Sequence, residues 1–247
     1  MTAPATSRAH APSPAGLRAA LETVRDPELD EPITALGFVA SATVSAAGDA
    51  QVRLRLPTYF CAPNFAYLMV ADAYDAVIAL PGVRRAEVVL DGHFASDAIN
   101  GGVAAQAGFA KSFDGEAVGE LHQLRADFLR KAIMAGTDQV CRPLVAAGTD
   151  PARLRTLTLG ELPPSRPLAR LRQRRAELGL PAGDDAVLLI DPATGGPVPA
   201  DTVPLHLRKA RITRVSLDAN GSICRGMLQH RYETPAVSQE PEGEEEQ

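Results

Sequence analysis

The chain has 247 residues, 45% apolar and 22% charged, an ordinary globular composition. No apolar run approaches the ~20 residues of a membrane-spanning helix, and the first residues lack the apolar stretch of a secretory signal. The net charge of -5 resides in the tail, where Glu240, Glu242, Glu244, Glu245 and Glu246 stand without a base; the remaining body is neutral, which removes the electrostatic case for nucleic acid.

Residues 1–13, rich in Ala, Pro, Ser and Thr, read as disordered. Ser13-Pro14 reads as a cap with proline in the first turn, and Leu17, Ala20, Leu21 and Val24 recur at helical spacing to about Arg25. Asp26-Pro27-Glu28-Leu29-Asp30-Glu31-Pro32 is a loop. From Phe38 the period becomes two: Phe38, Ala40, Ala42 and Val44, then Val52, Leu54 and Leu56 beyond Gly48-Asp49, form a hairpin with one buried face. A helix runs from about Pro63 to Leu80 on a stripe of Ala66, Met69, Val70, Ala73, Val77 and Leu80. Pro81-Gly82 stops it, and Val83–Leu90 is a third strand. The order α-β-β-α-β over residues 14–92 predicts an α/β fold, a two-layer α+β sandwich with helices on one face of a small sheet.

Beyond this, residues 93–112 are rich in Gly and Ala and read as irregular. Asp114 reads as the cap of a long helix whose stripe is Val118, Leu121, Leu124, Phe128, Ala132 and Ala135, with a break or kink at Pro143. A basic helix spans Leu168–Leu178, and the basic cluster of Arg166, Arg170, Arg172, Arg174 and Arg175 reads first as a solvated face and second as a protein-docking surface. Val187–Ile190, Ile212–Leu217 and Ile223–Leu228 read as strands, the last two joined by a hairpin turn at Asp218-Ala219-Asn220-Gly221. The expected division is a helical extension over 93–180, a small β region with a C-terminal hairpin over 181–233, and a disordered acidic tail over 234–247.

Three cysteines, Cys61, Cys141 and Cys224, lie far apart, which argues against a disulfide framework and fits a reducing cytoplasm. Cys61 lies between a strand end and a helix start. A thiol there can face unpaired N–H groups and the positive end of the helix dipole, both of which favour the thiolate that ligates metals. Thr58 is placed to hydrogen-bond the sulfur or hold the loop. A buried small hydrophobe is the other reading. The acidic loop likewise admits two readings, oxygen ligands from Asp26 and Glu28 or turn-capping and solvated acids. Cys141 and Cys224 read as core residues. Of the five histidines none stands in ligand spacing, and His93, which follows the third strand at Asp91-Gly92, is the one candidate among them.

Val24-Arg25-Asp26-Pro27-Glu28-Leu29, Ile33-Thr34-Ala35-Leu36-Gly37-Phe38-Val39, Thr58-x-x-Cys61 and Leu80-Pro81-Gly82-Val83 with Val88 occur in an order and spacing that resemble the MIP-eighteen family of iron–sulfur cluster assembly factors, also called domain of unknown function fifty-nine. The resemblance covers about residues 14–92. It implies that Cys61 is the reactive cysteine and that Asp26 and Glu28 are the acidic pair near it. One departure stands out: the family places proline directly after the cysteine, whereas Ala62 intervenes here before Pro63. The extension resembles that of long actinobacterial forms encoded beside binuclear-iron propane or alkane monooxygenases, which implies such an oxygenase as client.

A cluster generally needs four protein ligands, usually thiolates, so with three cysteines a permanent cluster held by four cysteines of one protomer is excluded. The resulting expectation is a cytoplasmic maturation factor without enzymatic turnover. It would carry transient iron or an iron–sulfur cluster at Cys61 and Thr58, with Asp26 and Glu28 as oxygen ligands, a client metalloenzyme as partner and a homodimer as one way to complete the ligand set. The rival is a metal-free assembly chaperone for a diiron monooxygenase hydroxylase. A thiol enzyme lacks a matched histidine base near Cys61 in sequence.

Overall fold

The computed structural model describes residues 13–113 and 121–233. Helix α1 (Pro14–Thr23) opens as expected, with Ser13 Oγ accepting from Gly16 N–H at 3.0 Å and Pro14 in the first turn, and it buries Leu17 and Leu21. The strands β1 (Val39–Val44) and β2 (Asp49–Arg55) pair antiparallel, and Ala50, Val52 and Leu54 alternate inward. The register slips between Val39 and Ser41, so Ala40 is exposed and Val39 packs on the core in its stead. Helix α2 (Pro63–Ile78) crosses over to β3 (Arg85–Asp91), which pairs parallel to β2. The sheet order is β1-β2-β3, a mixed three-stranded sheet with α1 and α2 packed together and against it. Gly48, at φ 87°, makes the turn between β1 and β2 where the chain nearly touches Gly82; an added Cβ would sit 2.3 Å from the Gly82 carbonyl oxygen.

Residues 93–112 are not irregular: α3 (Ser96–Ala104) and α4 (Phe109–Ser112) follow β3. Asn100 explains the first. Its side-chain amide takes the N–H of Leu90 at 2.8 Å and gives its own N–H to the Leu90 carbonyl at 3.1 Å, imitating a neighbouring strand and closing the sheet edge. The cap read at Asp114 and the stripe position Val118 lie outside the described residues, as do residues 1–12 and the acidic tail. Helix α5 (His122–Ala146) buries Phe128, Ala132 and Ala135 as the stripe predicts and continues through Pro143. A short α6 (Pro151–Leu154) precedes α7 (Arg166–Glu177).

The C-terminal hairpin is absent. Residues Val203–Glu233 form one helix, α8, roughly 45 Å long at 1.5 Å per residue. The β-branched residues that suggested strands, Ile212, Val215 and Ile223, stand on its exposed side, while Val203, Ala210, Leu217, Gly221 and Leu228 make the buried seam. Asn220-Gly221 is not a turn. Gly221 is where α8 presses on the acidic loop, and a Cβ there would lie 2.5 Å from Glu31 Oε1. Val187–Ile190 forms no strand; it contributes only the isolated bridges Thr158–Val187 and Ile190–Pro197. Two cores result. One lies beneath the sheet and includes Leu228; the other gathers Ile133, Cys141, Leu154, Leu171 and Leu188 with Val203. α8 therefore joins the two cores end to end.

Of the α7 arginines Arg166 is exposed as expected, whereas Arg170 and Arg172 are half-buried and Arg174 and Arg175 buried. Arg175 is fully buried and donates to the Val187 carbonyl at 2.9 Å as well as to that of Leu188, which fixes the irregular segment. Arg174 and Arg170 reach Asp30 at 2.6 and 3.0 Å, and Arg25 joins them. Asp30 has φ 53°, a left-handed backbone held in place by these cations.

Candidate functional site

Cys61 lies where the chain leaves β2 and enters α2. Ala62 is the residue before the helix and Pro63 its first residue, so the extra alanine sets Cys61 one position outside the cap. The thiol is half-buried. Thr58 Oγ1 stands 3.3 Å from Cys61 Sγ and also accepts the Phe60 N–H at 3.2 Å, so one hydroxyl both contacts the sulfur and holds the loop.

His93, buried at 4% exposure, completes the frame. Its Nδ1 accepts from the Ala95 N–H at 3.1 Å, which requires the other nitrogen to carry the proton; Nε2–H then donates to the Cys61 carbonyl at 2.6 Å. A second link runs from Phe94 N–H to the Tyr59 carbonyl at 3.2 Å. The turn after β3 thus braces the cysteine loop from behind. In front, Tyr59, Phe60 and Phe94 are exposed, and their rings touch, with centroids 5.1 Å apart for Tyr59–Phe60 and 6.2 Å for Tyr59–Phe94. An exposed aromatic cluster beside a thiol is a surface that binding would cover.

The acidic loop has a structural part. Asp26 is buried and accepts from the N–H groups of Glu28 at 2.9 Å and Leu29 at 2.8 Å. Burial outweighs these bonds and pushes its carboxyl up to about 6, with Glu28 and Glu31 adding in the same direction. Glu31 is paired with Arg225 of α8 at 2.7 Å.

Cys224, read as a core residue of a strand, is half-buried on α8 and packs against the core beneath the sheet, as Cys61 does from its loop. Its thiol is pushed up to about 11, first by burial and then by the negative charges of Asp26, Cys61 and Glu28. Cys61 and Cys224 thus border the same core from segments far apart in sequence. The missed signal was the spacing of Leu217, Gly221, Cys224 and Leu228, which is helical. Cys141, by contrast, is 2% exposed in the second core, where burial pushes its thiol up to about 12. Among the described residues no three His, Cys, Asp or Glu side chains form a ready-made metal site. No described helix is long and apolar enough to cross a membrane.

A half-buried thiol on a braced loop, rimmed by exposed aromatics, lies at the edge of a small mixed sheet. Residues 15–89 match the family described as iron-sulfur cluster assembly protein. An 81-residue stretch is 32% identical to an uncharacterized protein of Methanocaldococcus jannaschii, covering 83% of that protein and 33% of this chain. No solved structure gives a significant match. The chain belongs, through this domain, to the iron-sulfur cluster assembly protein family.

Proposed function

We propose that the protein is a non-catalytic maturation factor that holds iron or an iron–sulfur cluster at Cys61 as cargo and passes it to a client metalloenzyme. The observation that carries this reading is the Cys61 thiol itself: half-buried, 3.3 Å from Thr58 Oγ1, and fixed through its carbonyl to His93 in a domain of an assembly family. A resident four-thiolate cluster does not fit the chain, since Cys141 is enclosed in a separate core and only two other cysteines exist. Thr58 tunes the sulfur by its hydrogen bond, and Asp26 and Glu28 supply negative charge that draws a cation in. The exposed Tyr59, Phe60 and Phe94 form the docking rim.

The extension supports the client half of the reading. α8 leaves Leu205, Ile212, Val215, Ile223 and Met227 exposed along one helix, an apolar stripe of the kind that marks an interaction surface. A binuclear-iron monooxygenase as client rests on the resemblance of the extension alone. The exposed stripe of α8 also favours the rival, a metal-free assembly chaperone. Cys61→Ser separates the two: client metallation by the loaded full chain collapses if Cys61 carries cargo and survives if the protein only holds the apo-client. Cys141→Ser serves as the control.

A further inference from the structure

We propose that Cys224 is the second thiol of the Cys61 site, so that thiophilic metal cargo is held between one cysteine of the assembly domain and one of the last helix. The inference deepens the proposed function and rests on its reading of Cys61.

The register of α8 carries the argument. Gly221 and Arg225 are seated on Glu31, Leu228 packs against Gly37, and Arg231 donates to the carbonyls of Leu56 at 3.1 Å and Gly92 at 2.6 Å. Leu56 begins the segment that carries Cys61, and Gly92 precedes His93, whose ring holds the Cys61 carbonyl. The helix is therefore pinned on both sides of Cys224, at the end of the sheet where Cys61 lies. Within these anchors Cys224 falls on the packed face, while its neighbours Ile223 and Met227 face outward. Both thiols remain half-buried at the margin of one core, so both are reachable.

The chemistry follows from the ligand count. Two thiolates from this chain leave two of a cluster's usual four positions for the client or a small thiol, the composition of a cargo in transit. Each thiol that binds a metal ion exchanges its proton for the sulfur–metal bond, so binding at the pair releases two protons.

Cadmium titrated into the full chain reads the pair through its sulfur-to-metal charge-transfer absorption, which scales with the number of thiolates bound. Cys61→Ser and Cys224→Ser should each lose about half of the wild-type band, and Cys141→Ser none. Phenylarsine oxide tests proximity independently: its arsenic bonds both sulfurs and one water leaves, so a stable one-to-one adduct should form in wild type and in neither single variant. Circular dichroism verifies the helices, with Cys224→Ala as the second variant. A Cys224 variant that keeps the wild-type band and adduct, while Cys61→Ser loses them, overturns the pair alone. A Cys61→Ser protein indistinguishable from wild type overturns the Cys61 reading beneath it.

Discussion

Asparagine in place of Asp26 isolates the electrostatic cost built into the acidic loop. The carboxylate is 7% exposed and accepts two backbone N–H groups, yet burial lifts its pKa from 3.8 to about 6. The folded chain therefore binds this proton more tightly than the unfolded chain does. The associated stability is fully present below about pH 4 and is lost as pH rises through about 6. A shift of about two units corresponds to about 3 kcal/mol, at 1.36 kcal/mol per unit. Asparagine keeps an acceptor oxygen for both N–H groups and suits the same turn, but carries no charge. The variant should match wild type near pH 4 and exceed it by about 3 kcal/mol near pH 7.5, or roughly 6–12 °C in Tm for a body of this size. Thermal unfolding of the chelator-treated full chain across that range measures it. A difference that does not change with pH, or a variant less stable near pH 7.5, refutes the reasoning.

Three further outcomes follow from the same geometry. Asp30→Ala strands the buried Arg174 guanidinium with Glu177 alone and should cost about 3 kcal/mol in urea unfolding, whereas a neutral result would mean that the clamp by α7 contributes nothing. Leu228→Ala empties a buried contact against Gly37 and should cost about 2–5 kcal/mol while loosening the C-terminal half of α8 in hydrogen exchange; protection equal to wild type at Arg225–Arg231 would count against Leu228 as the anchor of α8 on the first core. His93→Ala leaves the Cys61 carbonyl and the Ala95 N–H without their partner, costing about 1–3 kcal/mol for each group, and should speed alkylation of Cys61. Unchanged alkylation would show that the brace does not restrain the thiol.

The assembly domain was legible because its signals are local and agree with one another. Ser13-Pro14 caps α1, the alternation of Ala50, Val52 and Leu54 matches a one-sided sheet, and Pro81-Gly82 ends the helical run just where β3 must begin. Thr58 and Cys61 could be paired because they lie three residues apart. The extension misled for the opposite reason. In α8 the β-branched Ile212, Val215 and Ile223 and the Asn220-Gly221 pair carry strand and turn propensity, and only tertiary anchors far away in sequence, Glu31, Asp138 and Leu56, keep the segment helical. The arginines of α7 look solvated until Asp30 and the carbonyls of Val187 and Leu188 are set beside them. The helical placement of Cys224 was hidden by the same error, since its segment carries strand propensity.

Anaerobic reconstitution of the full chain with ferrous iron and sulfide tests the central claim most directly, with bound iron and sulfide counted in wild type and in Cys61→Ser. Iron retained by wild type and lost from Cys61→Ser is the predicted result, and sulfide in step with the iron would identify the cargo as a cluster. Equal iron in both proteins, or none in either, would contradict a cargo site at Cys61.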